Sequence, residues 1–383
     1  MTTIYHFYYE IEEPGIYRRV DSRENKSEIF INEGDRPRTP DDFVRDYYID
    51  GDDAYWYRER DEKSAPSVSY EKIDELENVF KYLPEPFATL LKDPFKDDRG
   101  VMYANEGKTL VKAPRTLEGE YQCREGVEVV FRRAFEKCDE LTEVVLPKTL
   151  KEIGFAAFAD CRKLVSAELP ISLEKIDSSV FSDSGLVHVT IPTGVSKIPS
   201  KLFAGCKALE QVNLHDGIIA FDWNAFDYTK SLFKLTLPKH IESLGWITFR
   251  YSSITDIVIP GSVKVVDRAA FYRCSNLCYV VLSEGVEELE DAFGNCKNLE
   301  YVVFPASLKK VDEDVFENST PLLYVPQGTM DHFQEILPER LHKSLREGEV
   351  PEELKQEVEK KIAELIRERL AGQAKDEELD DLL

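Results

Sequence analysis

The sequence predicts an α/β-type solenoid: a rod of stacked turns with one parallel β-sheet, preceded by a small α+β region and followed by a C-terminal helix. Three observations carry this. Phenylalanine recurs at Phe135, Phe158, Phe181, Phe203, Phe226, Phe249, Phe271, Phe293 and Phe316, always 22 or 23 residues apart. Three residues after each comes a small side chain: Cys138, Cys161, Ser184, Cys206, Thr229, Ser252, Cys274, Cys296 and Ser319. Then follows a six-residue phrase, as in Leu141-Val144-Leu146, Leu186-Val189-Ile191, Leu232-Leu235-Leu237 and Leu299-Val302-Phe304.

Each column implies a local structure. The end of the phrase alternates apolar and polar residues, which is the period of a short strand. Pro147, Pro170, Pro192, Pro238, Pro260, Pro305 and Pro326 follow it. There the strand stops and no ladder hydrogen bond is needed. Apolar residues then recur three and six positions on, as in Leu150 and Ile153, Leu173 and Ile176, Val195 and Ile198, and Val263 and Val266. These bring the chain back to the core. One such unit cannot bury its apolar face alone, but stacked units bury it against each other. At about 4.8 Å per strand, nine turns give a rod roughly 40 Å long.

The cysteine column has a plain explanation. A free thiol is a good small buried group. The column also accepts Ser and Thr, which are poor zinc ligands. No metal site and no cofactor are expected.

The ordered recurrence of AFxxC, LxxVxLP and LxxI resembles the BspA-like, bacterial surface-antigen type of leucine-rich repeat, over about residues 101–326. Tyr103 to Pro114 resembles that family's opening turn, and Leu323 to Gly328 its exit. The chain lacks the Asn column of the better-known leucine-rich repeats. The resemblance implies a leucine-rich repeat rod and, as the family's usual role, adhesion at a cell surface.

Three regions follow: 1–100, 101–326 and 327–383. Residues 1–100 are rich in Tyr, Trp and acids. Residues 47–57 read as two aromatic strand pieces around an Asp50-Gly51 turn. Asp50, Asp52 and Asp53 lack the spacing and final Glu of a calcium loop. Tyr70 to Tyr82 reads as a helix with Ile73, Leu76, Val79 and Phe80 on one side. At the other end, a helix should begin near Pro351 and stop at Gly372. Leu354, Val358, Ile362, Leu365 and Ile366 form its apolar stripe. The acidic residues after it read as a solvated tail. This helix, over about 351–370, either docks on the rod or binds a partner.

Charge narrows the function. The 383 residues carry 49 Lys and Arg against 73 Asp and Glu, a net charge of -24. Such a field repels phosphate backbones, so nucleic acid is not an expected ligand. No apolar run is long enough to span a membrane. Seven cysteines do not suggest a disulfide framework. No signal-peptide pattern opens the chain, so the expected location is cytoplasmic, with the cell surface as the alternative. The six histidines show no ligand spacing, and no phosphate loop or nucleophile elbow occurs. No enzyme is expected; an activity housed in residues 1–100 is the alternative.

The expected function is protein binding through the exposed sheet face. Its first column reads Glu143, Ser166, His188, Gln211, Lys234, Asp256, Tyr279, Tyr301 and Leu322. The second reads Val145, Glu168, Thr190, Asn213, Thr236, Val258, Val281, Val303 and Tyr324. The early rows are polar. The late rows, Tyr279, Val281, Tyr301, Val303, Leu322 and Tyr324, form an apolar patch of the kind that marks a contact. Asp256, Lys234 and His188 extend it. The patch has two candidate occupants: a protein partner, or the C-terminal helix of the same chain.

Overall fold

The computed structural model describes residues 15–21, 26–32, 37–38, 68–74 and 91–380, the first four segments and most of the last helix beyond Glu368 as backbone. The chain divides into two units, one of residues 1–95 and 103–109, the other of residues 96–102 and 110–383.

In the first unit, four strands form an antiparallel sheet in the order Pro37–Arg38, Lys26–Asn32, Gly15–Asp21, Val68–Asp74. The helix expected from Tyr70 is corrected here, because Tyr70 to Asp74 belongs to the last of these strands. Val68, Tyr70 and Ile73 suit a strand as well as a helix, and pairing with Gly15–Asp21 decides between them. The register skips Ile73, since Tyr17 faces Lys72 and Ile16 faces Asp74. That bulge interrupts the alternation a strand would show in the sequence. The rest of the expected helix and the Asp50-Gly51 turn lie outside the described residues.

The second unit is the solenoid, and its strands run parallel. Along the six-residue phrase the strands form three successive parallel sheets: Gly119–Gln122, Leu141–Val145 and Ser166–Ala167; then His188–Thr190 and Gln211–Asn213; then Asp256–Ile259, Tyr279–Leu282, Tyr301–Val303 and Leu322–Val325, with no strand at the phrase Leu232-Leu235-Leu237. A second ladder of two-residue strands runs beside them, from Val129–Val130 through Glu152–Ile153 to Lys175–Ile176 and on to Lys310–Val311. Its buried members include Ile153, Ile176, Ile198, Leu244 and Val266, the apolar column six residues beyond each proline. Between the ladders, the carbonyl of each proline accepts a hydrogen bond from the amide three residues on, as Pro147 does from Leu150 and Pro192 from Val195. The prolines therefore end one strand and fold the turn into the next.

Behind the sheet stands a spine of rings. All nine column phenylalanines are 0% exposed. Each stacks on the next at 4.9–6.1 Å between centroids. The spine is closed at the far end by Phe333, from the short helix Met330–Ile336, which stacks on Phe304 at 5.7 Å.

The cysteine column has a role beyond its size. Each of four thiols donates to the carbonyl of the Phe one turn earlier: Cys161 to Phe135, Cys206 to Phe181, Cys274 to Phe249 and Cys296 to Phe271, at 2.8–3.1 Å. All seven cysteines are free and buried. Burial pushes the Cys206 and Cys274 thiols up to about 12. The turns are close-packed as well. A Cβ added to Gly261 would lie 1.6 Å from the Glu284 carbonyl oxygen, so only glycine fits there.

Beyond the repeats, Leu345–Glu347 pairs in parallel with Leu322–Val325 and adds one more strand to the face. The C-terminal helix runs Glu352–Asp380. It starts where Pro351 predicts, but the stop expected at Gly372 is corrected: the helix passes through it. One glycine costs only about 1 kcal/mol in a helix, and its neighbours Ala371, Gln373, Ala374 and Lys375 are good helix formers. The expected tail is thus helical through Asp380.

Candidate interaction surface

Strand pairing puts the two exposed columns in register. Asp256 faces Tyr279, which faces Tyr301, which faces Leu322. Val258, Val281, Val303 and Tyr324 align in the same way. The structure thus brings the six late residues together as one patch. His188 sits apart, beside Gln211 in the early ladder.

The patch is occupied within the chain. Tyr301 and Tyr324 are each only 5% exposed. With Cys278 they form a cluster with Val350, Val358 and Ile362 of the C-terminal segment. Tyr279, Val303 and Leu322 pack against that cluster, as do Leu354, Leu365 and Ile366 of the helix. The whole apolar stripe read from the sequence is therefore seated on the late sheet face. An ion pair between Lys361 and Glu300 fixes the helix laterally. The Tyr279 and Tyr301 rings stack at 5.2 Å, and Tyr301 meets Tyr324 edge-on at 6.2 Å.

Covering the patch changes its chemistry. Burial, with Asp256 nearby, pushes the Tyr279 phenol up to about 12. Burial, with Glu359 next, does the same to Tyr301. Burial also raises the Cys278 thiol to about 11. Tyr279 donates to Asp256 Oδ2 at 3.3 Å, and Thr255 donates to Oδ1 at 2.7 Å, so Asp256 is held at the edge of the patch. Val281 is half-buried. Lys234, His188 and Val258 remain exposed, together with Thr190, Gln211 and Asn213. Asn213 donates to Thr190 at 3.0 Å, a polar ladder across two turns. The face therefore has a covered apolar half and an open polar half.

Near the start of the rod lies an open polar groove of about 740 Å³, lined in part by Arg99, Glu120, Glu140 and Lys163. Its two cations are engaged locally. Arg99 donates to the Glu118 and Glu120 carbonyls, and Lys163 pairs with Glu140 at 2.8 Å. Among the described residues, no group of three His, Cys, Asp or Glu side chains could hold a metal ion. No described helix is long and apolar enough to cross a membrane.

Comparison with known families supplies the last observation. The sequence profile of the BspA type leucine rich repeat region matches residues 128–245 and 197–323, in six copies, and so more than half of the chain. The chain belongs to the BspA-type leucine-rich repeat family. The shared repeat is the one built here from the Phe, Cys and Pro columns. Similar solved structures are bacterial. A leucine-rich repeat protein from Bacteroides ovatus is 19% identical, with 68% of this chain and 98% of that one covered at a TM-score of 0.38. A leucine rich cell surface protein from Faecalibacterium prausnitzii is 18% identical, with 66% and 85% covered at 0.38. The pneumococcal vaccine antigen PcpA is 13% identical, with 68% and 100% covered at 0.36. No curated protein sequence matches the chain.

Proposed function

We propose that this BspA-type repeat chain is a non-enzymatic interaction scaffold that binds a protein partner through its sheet face. The observation that supports this is the late face itself: Tyr279, Val281, Tyr301, Val303, Leu322 and Tyr324 project in register from a rigid sheet. A partner reaches them by displacing the C-terminal helix, and the rigid sheet beneath it then needs no further ordering. The seated stripe of the C-terminal helix defines what such a partner presents, an apolar helix face with anchors four residues apart. Lys234, His188 and Asp256 on the open side supply polar contacts at the rim.

The test begins with affinity capture from the source cell, followed by affinity and melting temperature for Tyr301→Asp. On this reading both fall, because the partner and the C-terminal helix use the same residues. A captured partner that binds Tyr301→Asp as tightly as the parent, and is equally indifferent to charge reversal at Lys234 and Asp256, refutes the sheet-face site. The sequence pointed to the cytoplasm, but the absence of a membrane-spanning helix among the described residues does not favour that location over the cell surface. Fractionation of the source cell separates the two.

A further inference from the structure

Two residues beyond each column Phe, the backbone turns through the left-handed region. Asp160, Asp183, Asn295 and Asn318 take it with φ between 56° and 62°, and Gly205 with φ 75°. These are the residue types that tolerate it. Lys137 takes it too, with φ 61°, and Tyr228, Tyr251 and Arg273, on three consecutive turns, hold φ of 59° each. Bulky side chains at a position that favours Asn or Gly mark a site where a local rule is broken.

The three make a structured surface. The Tyr228 and Tyr251 rings stack at 4.5 Å. Lys230 Nζ lies 5.2 Å from one centroid and 5.3 Å from the other. Arg250 approaches both and is held by a double hydrogen bond to buried Asp227, at 2.6 and 3.1 Å. Arg273 donates to Tyr251 Oη at 2.7 Å. It is exposed and has no carboxylate partner among the described residues. The surroundings are also unusual. Residues 227–275 carry seven Lys and Arg against four Asp and Glu, in a chain of net charge -24, with Lys234 and Asp256 among them on the sheet face.

We propose that the Tyr228–Tyr251–Arg273 turns form a second recognition surface, separate from the sheet face, that binds an acidic peptide segment of a partner protein. Guanidinium forks and phenol edges suit carboxylates, and Tyr and Arg are the residues that most often dominate protein interfaces. The surface spans three turns, about 10 Å. That accommodates a short run of carboxylates. A long polyanion with a charge every ~1.7 Å would extend into the acidic remainder of the chain and be repelled.

The test uses the full chain and a labelled oligoglutamate peptide, read by fluorescence anisotropy at low and high salt, with oligoglutamine as the control. The comparison protein carries Tyr228→Asn, Tyr251→Asn and Arg273→Asn, the residue the same column already uses at Asn295 and Asn318. The parent should bind oligoglutamate at low salt, more weakly at high salt, and oligoglutamine not at all. The triple variant should melt at the parent's temperature or above and bind at least about tenfold more weakly. Equal binding by both proteins overturns the proposal. So does a clear loss of melting temperature in both the triple variant and Tyr228→Asn alone, which would make the stack a packing device. Binding of a sulfated polysaccharide but not of oligoglutamate also overturns it, in favour of a glycan.

Discussion

Phe203 shows what one residue contributes. Its ring lies between Phe181 at 6.1 Å and Phe226 at 5.4 Å, with no exposure. Phe203→Ala leaves a cavity in a stack that cannot close without shifting two turns. The expected loss is about 3–5 kcal/mol, read by denaturant unfolding. A change near zero would mean the spine is not the core. The column thiols give a second test at this scale. Cys206 and Cys274 are fully buried and held as thiols, so a bulky reagent should label them only as fast as the rod opens. Rapid native labelling would contradict the packing. Both columns were legible in the sequence, because a period of 22 or 23 residues exposes any position that never becomes charged. The reason the second column so often holds Cys was not legible. It depends on a Phe carbonyl one turn away, and only the stacked geometry puts that oxygen within reach of Sγ. The left-handed column was equally hidden, since Tyr228 and Tyr251 replace the Asn and Gly that announce such a backbone.

The C-terminal helix is the element on which the functional reading turns. Its apolar stripe and the apolar rows of the sheet were both visible as patterns. That the two are partners was not, because a stripe does not say what it faces. Tyr301 now distinguishes the cases in one measurement. Because Tyr301 is buried under Val358 and Ile362, Tyr301→Asp places a carboxylate against apolar side chains. It should cost roughly 2–4 kcal/mol of stability. A melting temperature equal to the parent's would show that the helix does not rest there in solution. The turns give an independent check on element packing. Gly261→Ala forces a methyl onto the Glu284 carbonyl, so the two turns must separate. The variant should melt well below the parent, although it adds only one carbon. In the first unit, the helix-like spacing rested on Leu76, Val79 and Phe80, outside the described residues, whereas Tyr70 to Asp74 is drawn into a strand by its pairing with Gly15–Asp21.

For the molecule as a whole, the buried acids of the core set the response to pH. The thiols of Cys206 and Cys274 rise from 9.0 to about 12, and the phenols of Tyr279 and Tyr301 from 10.0 to about 12. In each, burial makes the folded state hold its proton more tightly than the unfolded chain does. Their contribution to stability is therefore complete below about pH 9 and is lost as the pH climbs towards 12. Among the carboxylates, Glu287 is lowered by its hydrogen bond to Lys309 and so favours the fold above the acid range, but it is exposed and its weight is small. Burial raises Asp160, Asp177 and Asp267 too, so mild acid protonates them more readily in the fold than out of it. Mild acid also relieves the self-repulsion of a chain at -24. The ion pairs between successive turns, such as Lys151 with Glu128 and Lys309 with Glu287, are exposed and weigh little against this. The melting temperature should therefore be highest near pH 5–6, change little to pH 8, and fall steeply above about pH 9.5. The two ends of the rod need not fall together, because a solenoid joins its turns only to their neighbours. The late turns carry the two tyrosines and Cys278 as well as column thiols, so the helix-covered end should open first in alkali. Hydrogen exchange followed from pH 8 to pH 10 would show this as protection lost at Tyr279–Leu282 and Tyr301–Val303 before Leu141–Val145. The reverse order would mean that the cover, and not the early turns, is the more stable end.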